Sequence, residues 1–231
     1  MASTARYAIE PPLAAVLPVE GSDAVFPVRR VYCIGRNYAA HAVEMGGDPD
    51  REMPFFFQKN PQNLDPSGEF PYPDHSADVH HEAELAVVLG SGGRDIAIGE
   101  ALAHVFGNAI CLDMNRSDLQ AAQKKLGRPW EIAKAFERSA PVGPIHAVAR
   151  CGHPAKGEIS LRVNGELRQC GDLDQMIWTV PEMIALLSRY FELAGGDVIL
   201  TGTPAGVGPV QRGDLLEMAI AGLGLLQVRV F

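Results

Sequence analysis

From residue 81 to 89 the chain alternates. Ala83, Leu85, Val87 and Leu89 point one way, Glu82, Glu84, Ala86 and Val88 point the other, and Gly90 closes the run. This period of two predicts a strand, His81 to Leu89, with two acids on one face. Val31-Tyr32-Cys33-Ile34 is a second β-prone run, closed by Gly35. After it Asn37 can cap a short helix over 38–45, which Gly46-Gly47 stops. Asp95 to Phe106 reads as helical, and Ala109-Ile110-Cys111-Leu112 as a strand ending at Asp113. Ser117 with Gln120 has capping-box spacing for a helix that Gly127 and Pro129 terminate. Ile159 to Val163, the turn Asn164-Gly165 and the return Glu166 to Gln169 predict a β-hairpin. Thr179 and Glu182 form a second capping box before a helix with Ile184, Leu187 and Phe191 on one face. The tail from Val198 to Phe231 returns to short strands around Thr201-Gly202-Thr203-Pro204, and residues 61–79, rich in proline, read as an irregular loop or edge.

Composition sharpens this to α+β, mainly β. The 24 Gly and 17 Pro make about 18% of the chain, against roughly 12% on average, which favours many turns over a helical bundle. At 231 residues the expected organisation is an N-terminal arm, 1–28, followed by one domain, 29–231. A net charge of −8 argues against nucleic-acid or anionic-membrane partners. An acidic chain that handles an anion must concentrate its cations locally. Cys33, Cys111, Cys151 and Cys170 are far apart with no CxxC pair, so reduced thiols are expected. Pro11, Pro12 and Pro18 interrupt any signal-peptide-like apolar region, and no stretch approaches a membrane span. The cytoplasm is the expected location.

Glu82 and Glu84, two apart on a strand, emerge about 6.5 to 7 Å from one another and can bend toward one ion. In isolation such a pair is more often a solvated face. Asp113 at the end of an apolar strand changes the odds, because three carboxylates suit a hard divalent ion. His80 and His81 flank the strand and are expected to orient a carboxylate. His41 and Glu44, three apart on the short helix, outline a general-base dyad, although such pairs are common surface decoration. Lys134 lies in an apolar setting, Trp130 to Phe136, where its ammonium needs a partner. It is either a snorkelling side chain or a contact for an anionic ligand. Thr201 to Gly208 offers hydroxyls and close backbone approach but lacks the lysine and spacing of a P-loop.

Taken in order, Gly35-Arg36-Asn37-Tyr38 with His41 and Glu44, His81-Glu82-Ala83-Glu84-Leu85, Leu112-Asp113-Met114, Ala133-Lys134 and Thr201-Gly202-Thr203-Pro204 resemble the fumarylacetoacetate hydrolase family. The resemblance runs from about Val31 to the C-terminus. It implies a mixed, mainly β roll with short peripheral helices around a metal-centred site, usually in a homodimer. It implies Mg²⁺ or Mn²⁺ on Glu82, Glu84 and Asp113, His41 with Glu44 as the water-activating dyad, and Lys134, Gln120 and Thr203 at the substrate. Many members read Thr-x-Arg-Asp where this chain has Asn115-Arg116-Ser117-Asp118. Phe55-Phe56-Phe57-Gln58-Lys59 and the short chain look most like the acylpyruvate hydrolases, fumarylpyruvate hydrolases in particular. Such a substrate has a distal carboxylate, for which Arg36, Lys59 and Arg116 are candidates, with Arg116 favoured because it follows Asp113 by three residues. Rival readings are oxaloacetate decarboxylation, isomerisation or tautomerisation at the same site, and non-catalytic binding of a metal or 2-oxo acid.

Overall fold

The alternation from Ala83 to Leu89 is realised as a strand in which every residue is buried, because each of its faces is covered by a different core. The computed structural model describes residues 6–39 and 52–231. Within them the Ala83–Leu89 strand belongs to a six-stranded sheet, ordered His146–Ala147, Val105–Leu112, Ala83–Leu89, Asp197–Leu200, Arg30–Gly35, Phe55–Lys59. Only the pairing of Asp197–Leu200 with Arg30–Gly35 is parallel. A five-stranded sheet is ordered Glu166–Asp172, Glu158–Val163, Leu215–Ile220, Gly224–Val230, Glu69–Phe70.

Leu85, Val87 and Leu89 face the larger core with Tyr32 and Ile34, and the five-stranded sheet closes it with Ile159, Leu161, Met218 and Val228. Each such aliphatic side chain contributes roughly 1.5 to 3 kcal/mol by leaving water. Ala86 and Val88 face a second core with Val31, Cys33, Ala109 and Cys111. Residues 16–27 close this second core: Val16–Pro18 pairs antiparallel with Val25–Pro27, and Leu17 and Phe26 are buried. These residues lie in the segment read as an arm. Two three-residue strands around a turn are too short to leave a period in the sequence.

The Asn164-Gly165 turn takes positive φ at both residues, 52° and 81°, which is the type I′ geometry that matches strand twist. At Thr179 the capping box forms, with the Thr179 N–H donating to Glu182 Oε2 at 2.9 Å. The helix Val180–Tyr190 that follows buries Ile184 and Leu187. The helix expected over Asp95 to Phe106 is instead a 3₁₀ segment, Ile98–His104, and the next strand already begins at Val105. Gly99 weakens an α-helix there. Ser117–Lys125 is helical without a side-chain cap; Gln120, expected to close a box with Ser117, accepts from Asn115 Nδ2 at 2.9 Å. The four cysteines are unpaired. No helix among the described residues is long and apolar enough to cross a membrane.

Candidate metal centre and active site

Glu82 occupies a joint. Val79–His81 pairs with Asn115–Arg116 and Gly208–Val210 in a small three-stranded sheet, and Ala83 begins the strand of the six-stranded sheet. The single strand expected from His81 to Leu89 is therefore two, in different sheets. Asp113 lies just past the neighbouring strand, and its N–H donates to the Glu82 carbonyl at 2.8 Å. Glu84 shares the parity of Ala86 and Val88, and Asp113 that of Ala109 and Cys111, so both project from the second-core face. One carboxylate oxygen from each of Glu82, Glu84 and Asp113 lies within 4.8 Å of the others. Three converging hard oxygen donors fit a divalent cation such as Mg²⁺ or Mn²⁺.

Two buried lysines complete the charge cluster. Lys134, on the short helix Glu131–Lys134, reaches Glu82 Oε1 at 2.7 Å and Asp113 Oδ2 at 3.0 Å. Lys59, on the edge strand, pairs with Asp113 Oδ1 at 2.9 Å and donates to the carbonyls of Lys134, Met114 and Ser139. Burial alone would lower the pKa of Lys134, but Asp113 and Glu82 reverse this and raise it above the ordinary lysine value. Burial likewise works to raise Asp113, yet the two ammonium groups hold it below the usual carboxylate range. Glu84 goes the other way. Desolvation and the charges of Asp113 and Glu82 push it well up, against a Gly202 N–H that donates to its Oε2 at 2.8 Å. Gly202 takes φ +93°, and a Cβ there would stand 2.7 Å from that of Asn37. The glycine is what allows this N–H to reach the carboxylate.

A cavity of about 280 Å³ opens onto Glu82, Glu84 and Lys134. Its walls include Phe55, Phe57 and Trp130, with Phe55 and Trp130 packed edge to face at 5.1 Å. Arg36, Gln120 and Thr203 line it as well. Arg116 and Lys59 do not reach it. The Arg116 guanidinium lies 4.3 Å from the Phe136 ring centre and donates to the Ile132 carbonyl at 3.4 Å. Its neighbours Asn115 and Ser117 face the cavity instead. His80 lines the cavity and contacts Asp78 at 2.8 Å. His81, read as orienting a carboxylate, is wholly buried and bonded to Gln169 Oε1 at 2.9 Å, and desolvation lowers its pKa to about 4. His41 and Glu44 lie outside the described residues. Sequence reasoning missed Gln169, Ser117 and the role of Lys59 as counter-ion to Asp113. Only the short β-prone run around Lys59 hinted at its burial.

Residues 30–231 match the family described as fumarylacetoacetate (FAA) hydrolase C-terminal. The chain belongs to the fumarylacetoacetate hydrolase family. Family members are enzymes acting on dicarbonyl substrates. The fold is similar to that of a fumarylpyruvate hydrolase from Pseudomonas aeruginosa solved with Mn²⁺ and pyruvate. That similarity has a TM-score of 0.95 at 52% identity and covers 97% of this chain and 99% of the other. A protein described as a putative fumarylpyruvate hydrolase from Burkholderia cenocepacia gives 0.92 at 48%, covering 98% of each chain. An oxaloacetate tautomerase of Escherichia coli is 40% identical over 207 residues, 89% of this chain and 94% of that protein.

Proposed function

We propose that this enzyme hydrolyses the carbon–carbon bond of an acylpyruvate, with fumarylpyruvate as the favoured substrate, yielding fumarate and pyruvate. The observation that carries the reading is one cavity that joins a three-carboxylate centre to Lys134 and, among aromatic walls, to Arg36. It is supported by 52% identity to the P. aeruginosa fumarylpyruvate hydrolase. Glu82, Glu84 and Asp113 would hold Mg²⁺ or Mn²⁺. A bound ion of this kind supplies Lewis-acid charge to the oxygens of a 2-oxo acid.

The remaining chemistry belongs to side chains. His41, with Glu44 as its proposed partner, would take a proton from a water that attacks the distal carbonyl carbon. The carbon–carbon bond breaks, the acyl carbon keeps the hydroxyl as a carboxylic acid, and the bonding pair passes to the enolate of pyruvate. Lys134 meets that developing charge with an ammonium already fixed by Glu82 and Asp113. Protonation of the enolate at carbon gives pyruvate. Arg36 receives the distal carboxylate of fumarylpyruvate, the role first expected of Arg116. The reading also carries a homodimer and a cytoplasmic setting, checked by light scattering and cell fractionation.

A second reading is favoured by the E. coli oxaloacetate tautomerase, since tautomerising or decarboxylating oxaloacetate needs the enolate but no attacking water. One Mn²⁺-loaded preparation assayed on fumarylpyruvate, acetylpyruvate and oxaloacetate separates the two. Hydrolysis of fumarylpyruvate is expected to dominate, and His41→Ala to lower it by roughly 10²-fold or more with Mn²⁺ affinity retained. Oxaloacetate turnover exceeding that of every acylpyruvate would transfer the assignment to the second reading.

A further inference from the structure

Gln169 lies on the Glu166–Asp172 strand of the five-stranded sheet, is 1% exposed, and reads in the sequence only as the end of a hairpin strand, with no chemical role. Its amide makes four hydrogen bonds, and two of their partners are backbone groups whose polarity is not open to choice. The Ala83 N–H can only donate, and it reaches Gln169 Oε1 at 3.1 Å. The Pro204 carbonyl can only accept, and it receives Gln169 Nε2 at 2.9 Å. Together they fix which end of the amide is oxygen and which is nitrogen.

The other two bonds then have a set direction. His81 Nδ1, 2.9 Å from Gln169 Oε1, must carry its proton and donate. Thr203 Oγ1, 2.8 Å from Gln169 Nε2, must accept. A hydroxyl has one hydrogen, and that of Thr203 is not used on Gln169. Thr203 lines the cavity with Glu82, Glu84 and Lys134, and among the described residues its hydroxyl donates to no acceptor.

We infer that Gln169 is a positioning residue that holds the Thr203 oxygen as an acceptor and so leaves its one hydroxyl hydrogen to be donated into the active cavity, to an acceptor oxygen of the ligand. With a 2-oxo acid, as in the proposed function, the ligand oxygen is a carboxylate or 2-oxo oxygen of its pyruvyl end. Ala83 immediately follows Glu82, so one amide ties the joint of the metal-type centre to the polarity of the substrate wall. The five-stranded sheet thereby acts on a site whose carboxylates it does not supply.

The test is a double-mutant cycle on Mn²⁺-loaded protein, read by calorimetric titration with pyruvate and by kcat and KM on an acylpyruvate. Thr203→Val is expected to weaken pyruvate binding about tenfold or more, since a charge-assisted donor is lost. Gln169→Met should weaken it several-fold where Thr203 is present and by less than about twofold in the Thr203→Val background. Thr203→Ser should restore the sensitivity. KM should move more than kcat, and Mn²⁺ affinity should stay as in the parent. Equal losses from Gln169→Met in both backgrounds, or none where Thr203 is intact, would overturn the inference. If Gln169→Met does not fold, Gln169→Glu gives the same reading, since its second oxygen would claim the Thr203 proton. Wild-type protein that binds Mn²⁺ but not pyruvate would instead overturn the 2-oxo acid reading, and the ligand class inferred here with it.

Discussion

The two faces of the six-stranded sheet are built from alternate residues of the same strands and do different work. On one face Leu85, Val87 and Leu89 meet the five-stranded sheet in an apolar core. On the other, Ala86, Val88, Cys33 and Cys111 begin a second apolar core, but toward one end of the sheet it gives way to Glu84, Asp113, Lys59 and Lys134, all buried. The packed side chains of the first face carry no charge, and the buried Asp197 at the start of its strand is already ion-paired with Arg29, so that face offers an ion no free ligand. The second holds two lysines against Glu84, Asp113 and, at the joint, Glu82, and its energy depends on which of them are paired. One strand therefore serves stability with its odd-numbered residues and chemistry with an even-numbered one.

The largest break in this contrast is Asp113→Ala. It removes the partner shared by Lys59 and Lys134, and stranding buried charge should cost about 3 to 5 kcal/mol in urea unfolding of the metal-free protein, with calorimetric Mn²⁺ binding lost. Leu85→Ala, on the opposite face of the same sheet, should cost about 2 to 5 kcal/mol through the cavity it leaves, yet the folded fraction should bind Mn²⁺ as the parent does. Loss of metal affinity in this variant would mean that the faces are not independent. A smaller and more selective effect is expected at the cavity wall. Arg36→Met should lower kcat/KM for fumarylpyruvate roughly 10- to 150-fold more than for acetylpyruvate, whereas Arg116→Met should affect the two alike.

The smallest effect follows from opposite titrations within the charged face. Glu84 has its pKa raised on folding, so the metal-free native state binds more protons than the unfolded chain between the ordinary carboxylate value and the raised one. Stability from this group declines as pH rises through that window. Asp113, held low, stabilises above the ordinary value and loses that contribution as pH falls below it. Glu84→Gln should flatten the alkaline-going decline and leave the acid limb, which stability curves of the metal-free protein would resolve. Mn²⁺ competes with the Glu84 proton, so its affinity should rise with pH in the parent.

Legibility in the sequence followed the range of the interaction. The Asn164-Gly165 hairpin and the Thr179 capping box are decided within a few residues, and both formed as read. Glu82, Glu84 and Asp113 converge as expected because strand parity and a strand end were visible locally. What depends on distant partners was not visible. Lys59 is buried because its strand pairs with Arg30–Gly35 and because the Lys134 and Ser139 carbonyls surround its ammonium. Arg116, expected at the substrate, and Ser117, expected only to cap the helix, were misplaced because the strand-to-helix junction turns the first toward Phe136 and the second toward the cavity. Gln169 is joined to His81 across 88 residues, a separation that no local pattern records.

The joint at Glu82 also constrains how this gene can vary over time. Substitution within 79–89 leaves the other side chains on their faces, but removal or addition of one residue after the joint would exchange the faces of everything up to Leu89. A carboxylate would then enter the apolar core, in place of Leu85 on addition or of Ala83 on removal, and the metal-type centre would lose its middle member. Lineages of this enzyme should therefore diverge here by replacement alone, with gaps in their alignments falling in the surface turns instead.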